Sequence, residues 1–147
     1  MRALAGLLGL LMAFALAGVP ARADDVPSGV PGADRQAIQG VIAGQMRAFR
    51  ADDANAAFAA ASPGIQSMFG DAGRFLEMVR SAYPMVYRPR ETTFGALVEM
   101  DGHPVQKVHV VGPDGHPALA LYYMEREGDG SWRIDGCQLT EDDAVGA

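Results

Sequence analysis

Apolar side chains recur at three- and four-residue spacing through the first half of the chain. Ile38, Val41, Ile42, Met46 and Phe49, with Gln45 among them, fall on one stripe about four turns long. Arg35, Gln39, Arg47 and Arg50 lie mostly opposite, so the pattern predicts an amphipathic helix with Asp34 as its N-cap. Gly40 and Gly44 on the flank of the stripe predict close approach to a neighbour, at a cost in helix propensity. Asp52 or Asp53 is positioned to cap a second helix running through Ala61 with Phe58 as its anchor, and Ser62-Pro63-Gly64 breaks it. Ile65 to Phe69 reads as a single turn, with Ile65, Met68 and Phe69 facing inward. Asp71 then restarts a helix to about Ala82, whose buried face is Phe75, Leu76, Met78, Val79 and Ala82.

The period changes across Ser81-Ala82-Tyr83-Pro84-Met85-Val86-Tyr87-Arg88-Pro89-Arg90. Proline lacks an amide hydrogen and biases the residue before it toward extended backbone, so Pro84 and Pro89 predict an extended joint. Beyond it the alternation is two-fold. Thr92–Met100, Val105–Val111, Pro117–Glu127 and Trp132–Leu139 read as strands, separated by turns at Asp101-Gly102, Gly112–Gly115 and Gly128–Ser131. Connections this short pair neighbours antiparallel, as a meander. Helices followed by strands predict an α+β fold, with N-terminal helices packed on the concave face of a curved antiparallel sheet. Trp132, Phe94, Val98, Val108 and Val110 are the expected sheet core, within a single domain at 34–139. The acidic tail at 140–147 is expected to fray.

The extreme N-terminus carries a different signal. Arg2 precedes the uncharged run Ala3 to Gly18, and Ala21-Arg22-Ala23 supplies a small-x-small cleavage site. Residues 1–23 therefore read as a signal peptide cut between Ala23 and Asp24, followed by a flexible leader at 24–33 rich in proline and glycine. The alternative, a membrane anchor, needs a longer apolar run of roughly 20 residues. The expected location is periplasmic or secreted, with no membrane association after cleavage.

Charge narrows the partners. The formal charge is −6, and loss of Arg2 and Arg22 with the signal makes the mature chain more acidic still. Such a chain repels phosphate backbones, which argues against nucleic acid as a partner. Cys137 is the single cysteine, so no intrachain disulfide forms. Free cysteine is among the most buried residue types, so it reads first as a core residue, with an intermolecular bridge or a reactive thiol as the sharper alternatives.

Four runs carry a resemblance: Ala48-Phe49-Arg50-Ala51-Asp52-Asp53, Ala61-Ser62-Pro63-Gly64-Ile65, Tyr87-Arg88-Pro89-Arg90 and Trp132-Arg133-Ile134-Asp135-Gly136-Cys137. With the helix-then-meander order, the chain resembles the cone-shaped ketosteroid-isomerase-like, or SnoaL-like (nuclear-transport-factor-2-like), superfamily. More narrowly, it resembles an uncharacterised family of small exported proteobacterial proteins built on a domain of unknown function. The superfamily resemblance implies a base and a tyrosine or acidic donor inside the cone.

Asp135, His109 and Tyr122 are the catalytic candidates, with Glu125 and Tyr123 beside them. Asp135 becomes a usable base only if burial raises its pKa; its plainer role is a surface partner for Arg133 or Lys107. His109 shares a strand face with Val105, Lys107 and Val111, and Lys107 suggests that this face is solvated. Tyr122 and Tyr123 point to opposite faces, so one at most lines a pocket. Arg133, Asp135 and Cys137 share one face of the last strand by simple alternation, with Trp132, Ile134 and Gly136 on the other. The repeated Asp-Gly-His-Pro at 101–104 and 114–117 sets His103 and His116 at opposite ends of a strand, roughly 26 Å apart. No metal and no cofactor is expected.

Tyr83, Tyr87, Arg88 and Arg90 at the joint form the candidate binding rim, where arginine forks meet tyrosine walls. Arg74, near a helix start, calls for a carboxylate partner. These readings favour a module that binds a small molecule or a partner subunit. The alternatives are an isomerase-, dehydratase- or hydrolase-like enzyme and a structural homodimer joined through the outer sheet face.

Overall fold

The two periods in the sequence become two layers. The computed structural model describes residues 29–142, and within them five helices precede four strands. The expected signal peptide, its expected cleavage site between Ala23 and Asp24, the first half of the expected leader and the last residues of the tail lie outside the described residues.

Helix α1 (Gly32–Arg50) buries Ile38, Ile42, Gln45, Met46 and Phe49, the stripe read from the sequence. Its start differs from expectation. Pro31, not Asp34, is the N-cap, and Asp34 sits in the first turn, where it suits the helix dipole. Its carboxylate is engaged across the layers, accepting from Trp132 Nε1 at 3.2 Å and from Arg126 at 3.3 Å. Val30, inside the expected leader, packs against the core. Helices α2 (Ala54–Ala59), α3 (Pro63–Phe69) and α4 (Ala72–Ala82) are each started by a side-chain cap. Asp53 accepts from the Ala56 amide at 3.1 Å, Ser62 from Ile65 at 3.2 Å and Asp71 from Arg74 at 2.8 Å. Arg74 finds its carboxylate partner in Asp71, at 3.4 Å.

Two inward assignments on these helices fail. Met68 is 73% exposed and Ala82 is exposed, because α3 and the end of α4 lie at the rim of the helical layer. The joint is also not extended. Pro84 opens a further turn of helix, α5 (Pro84–Tyr87), since a missing amide hydrogen costs nothing at the first helical position. Tyr83 and Arg88 on either side carry the break.

The strands β1 (Glu91–Met100), β2 (His103–Val111), β3 (Pro117–Arg126) and β4 (Trp132–Thr140) pair in chain order as one antiparallel sheet. Helices on one face of this open sheet make the fold α+β, as the sequence predicts. Leu97, Val108, Val110, Ala120, Tyr122, Met124, Trp132 and Ile134 form the sheet side of the core.

Two bulges shift the parity. In β1 the register slips between Phe94 and Leu97, so Leu97 takes the core position expected of Val98, which is only half-buried; Phe94, also expected inside, lies opposite Val108 on the edge strand and is 37% exposed. Buried Gln106 fastens this bulge, donating to the Gly95 carbonyl at 2.9 Å and its own neighbour's, Lys107, at 2.8 Å. Between β3 and β4, Tyr123 pairs with Gly136 and Met124 with Ile134, which leaves Asp135 as the extra residue. From that point the faces of β4 exchange, and Cys137 comes to sit across from Tyr122.

Candidate functional site

A cavity of about 250 Å³ lies where the helical layer meets β3 and β4. Phe49 of α1, Ile65, Met68 and Phe69 of α3, and Phe75, Met78 and Val79 of α4 form its walls. Tyr83 and Val86 close one side, and Tyr122, Ile134 and Cys137 come from the sheet. The aromatic walls brace one another: Phe75 stands 6.2 Å from Phe49, 5.5 Å from Phe58 and 5.6 Å from Phe69, measured between ring centroids. α3 covers the cavity without burying any of its own residues. It is held instead by hydrogen bonds from mid-helix Gln66, which reaches the Phe58 and Ala61 carbonyls at 3.0 and 3.1 Å.

Among the described residues no charged side chain lines this space, and the polar groups that do are few. Gln45 is committed, donating to the Ala57 carbonyl at 3.0 Å. Tyr122 is 1% exposed, and its hydroxyl has no hydrogen-bond partner. Leaving such a group buried and unpaired costs about 1–3 kcal/mol. Its polar neighbour is the Cys137 thiol, a weak acceptor. Burial pushes the Tyr122 phenol well above its ordinary value, and the adjacent thiol adds to the shift. Desolvation likewise pushes Cys137 up to about 12, opposed in part by the Tyr122 hydroxyl. These shifts favour the neutral form of both groups, which weighs against a reactive thiol at Cys137.

The expected binding rim is divided by the fold. Tyr83 joins the cavity wall. Arg90 runs the other way, its amide bonded to the Val111 carbonyl at 2.8 Å and its guanidinium beside the turn at Gly115. Tyr87 and Arg88 meet Asp52 and Arg80, two residues that sequence reasoning did not bring to this place. Asp52 occupies a left-handed backbone position (φ 54°) between α1 and α2, a conformation that aspartate tolerates. The Tyr87 hydroxyl donates to its carboxylate, as do Arg88 at 2.9 Å and Arg80 at 3.5 Å. The Arg88 and Arg80 guanidinium carbons also lie 4.9 and 5.5 Å from the Tyr87 ring centroid. The Tyr87 hydroxyl, then Arg88 and Arg80, hold the Asp52 carboxyl below the usual carboxylate range. This cluster clamps the α1–α2 corner to the end of α4.

The candidate bases stand elsewhere. Asp135 is exposed on its bulge and accepts from the Ser62 hydroxyl at 2.7 Å, in place of the Arg133 or Lys107 partner expected. Arg133 donates instead to the Ala59 carbonyl. His109 lies on the sheet face away from the helices, its Nδ1 2.7 Å from Asp142. Asp142 is itself buried, so the start of the acidic tail is fixed and not frayed. Neither Asp135 nor His109 lines the cavity; Tyr122 does. Tyr123 faces outward, with its hydroxyl 3.4 Å from Gln138. Among the described residues, no group of three or more histidine, cysteine, aspartate or glutamate side chains converges as metal ligands. No helix there is long and apolar enough to cross a membrane.

Comparison with known proteins adds one match. The family described as Domain of unknown function (DUF4864) matches residues 32–147. No curated protein and no solved structure matches the chain.

Proposed function

The chain belongs to that family, and we propose that it is a non-catalytic binding module holding a small apolar molecule between its helices and its sheet. The observation that carries this reading is the cavity itself: about 250 Å³ of uncharged space, walled by side chains from α1, α3, α4, α5, β3 and β4. A hole of roughly 150 Å³ already accepts benzene in other proteins. Binding is favoured over an isomerase-, dehydratase- or hydrolase-like reaction because Asp135 and His109 lie away from the cavity and its thiol is neutral. The N-terminal run and Ala21-Arg22-Ala23 support export, so we place the working domain in the periplasm or outside the cell. The helices-on-sheet arrangement supports a distant relation to the SnoaL-like superfamily, proposed here on architecture alone.

Calorimetric titration of the purified protein with toluene and indole tests the reading. Saturable binding to the wild type, lost in a folded Val79→Phe variant whose added ring fills the space, is the expected result. Absence of saturable binding to the wild type overturns it.

A further inference from the structure

Met68 stands at the mouth of the cavity. It lines the space from α3 and is 73% exposed, whereas every other described residue of the lining is buried or half-buried. It is also the one exposed methionine among the described residues: Met46 and Met124 are buried, and Met78, Met85 and Met100 are half-buried. A thioether is an apolar wall that a peroxide turns into a polar one. The peroxide O–O bond breaks as an S–O bond forms, sulfur gives up two electrons, and the other oxygen leaves as water. A dithiol reverses the step, becoming a disulfide as the sulfoxide oxygen departs as water. α3 buries none of its own residues, so the new dipole enters no packed core and the fold keeps its stability. The guest does not escape the change. A sulfoxide that stays in the mouth is stripped of water against an apolar surface, and one that turns outward withdraws a wall. Resting on the cavity-binding reading, we infer that Met68 is a redox-controlled modification site: its oxidation by a peroxide releases the apolar guest, and reduction to the thioether restores binding.

The test treats the purified protein briefly with hydrogen peroxide, maps oxygen uptake by peptide mass spectrometry, and titrates toluene calorimetrically before and after. Met68 is expected to take up oxygen ahead of the other described methionines. Oxidised protein binds toluene at least about fivefold more weakly, with an unchanged urea midpoint. Methionine sulfoxide reductases of both epimer specificities, with dithiothreitol, restore the affinity. In Met68→Leu, whatever its own affinity, peroxide changes toluene binding by less than about twofold. Oxygen uptake first at a buried or half-buried methionine overturns the assignment, as does an equal loss of binding in peroxide-treated Met68→Leu. Unchanged toluene affinity in protein oxidised at Met68 overturns the switch while the cavity reading stands. A urea midpoint that falls with the affinity shows unfolding in place of release, and overturns it too. If the untreated wild type does not bind toluene, the cavity reading fails and the inference with it.

Discussion

Ser62 and Asp135 join the helical layer to the bulge of the last strand. The Ser62 hydroxyl donates to the Asp135 carboxylate at 2.7 Å while accepting from the Ile65 amide, and the Ser62 amide donates to the Ile134 carbonyl at 2.8 Å. The Ile134 amide returns a bond to Ala60 at 2.9 Å, completing a short parallel bridge. One buried serine thus caps α3, the helix over the cavity, and fixes it to the strand that supplies Cys137.

Ser62→Ala removes both the cap and the link to Asp135. The expected loss is about 1–2 kcal/mol, read from urea unfolding with an unchanged m-value. A loss below the error of the fit would show that α3 is held by Gln66 alone.

Asp52 makes stability depend on acid. Its folded pKa lies below the ordinary value, mainly through the Tyr87 hydroxyl. Between the two pKa values the unfolded chain binds more protons, so stability falls as pH falls. Its contribution is complete above the unfolded value of about 3.9 and is lost as pH drops through the lower folded value. In Asp52→Asn the urea midpoint is lower at pH 6, and the difference from the wild type narrows toward pH 2.5. A constant difference across that range would contradict the assignment.

Glu125 has the opposite sign. Partial desolvation, then Asp135 beside it, raises its folded pKa, so the ionised form destabilises the fold and protonation relieves it. Glu125→Gln is expected to raise the midpoint at pH 7, with the gain fading below about pH 4, where the wild-type carboxyl is also neutral. Equal or lower stability at pH 7 would count against this reading.

Cys137 is expected to be chemically silent. With a pKa of about 12, roughly one thiol in ten thousand is ionised at pH 8, against about a quarter for an unperturbed thiol. Ellman's reagent should therefore react at least about a hundredfold more slowly with native protein than with urea-unfolded protein. Reaction at the unfolded rate would place the sulfur outside the packed layer.

The period-two alternation and the Asp-Gly turns made the sheet legible from sequence. Gly102, Gly115 and Gly130 all adopt positive φ at the expected turns, and all four strand ends fall close to the reading. The bulges were not legible, because a bulge is set by the partner strand: Gln106 fixes one in β1 from across the ladder. One added residue reverses every face beyond it, which is why simple alternation puts Val98 inside and Cys137 with Asp135. Pro84 carries both the breaking and the starting of a helix, and sequence alone favoured the first. The site was harder still. Tyr122 was named, but its cavity is assembled from six elements far apart in the chain, and no local spacing records that meeting. Asp52 could be read as a cap, yet not as the partner of Tyr87, 35 residues away.

The central claim is that the space between the helices and β3–β4 holds a small guest. Methyl-resolved NMR of the methionines during titration with toluene tests it most directly, because Met68 and Met78 line that space while Met100 sits at the far β1–β2 turn. Saturable shifts at Met68 and Met78, with Met100 unmoved and the response abolished in Val79→Phe, are predicted. No saturable shift at either lining methionine, or equal shifts at all three, would contradict it.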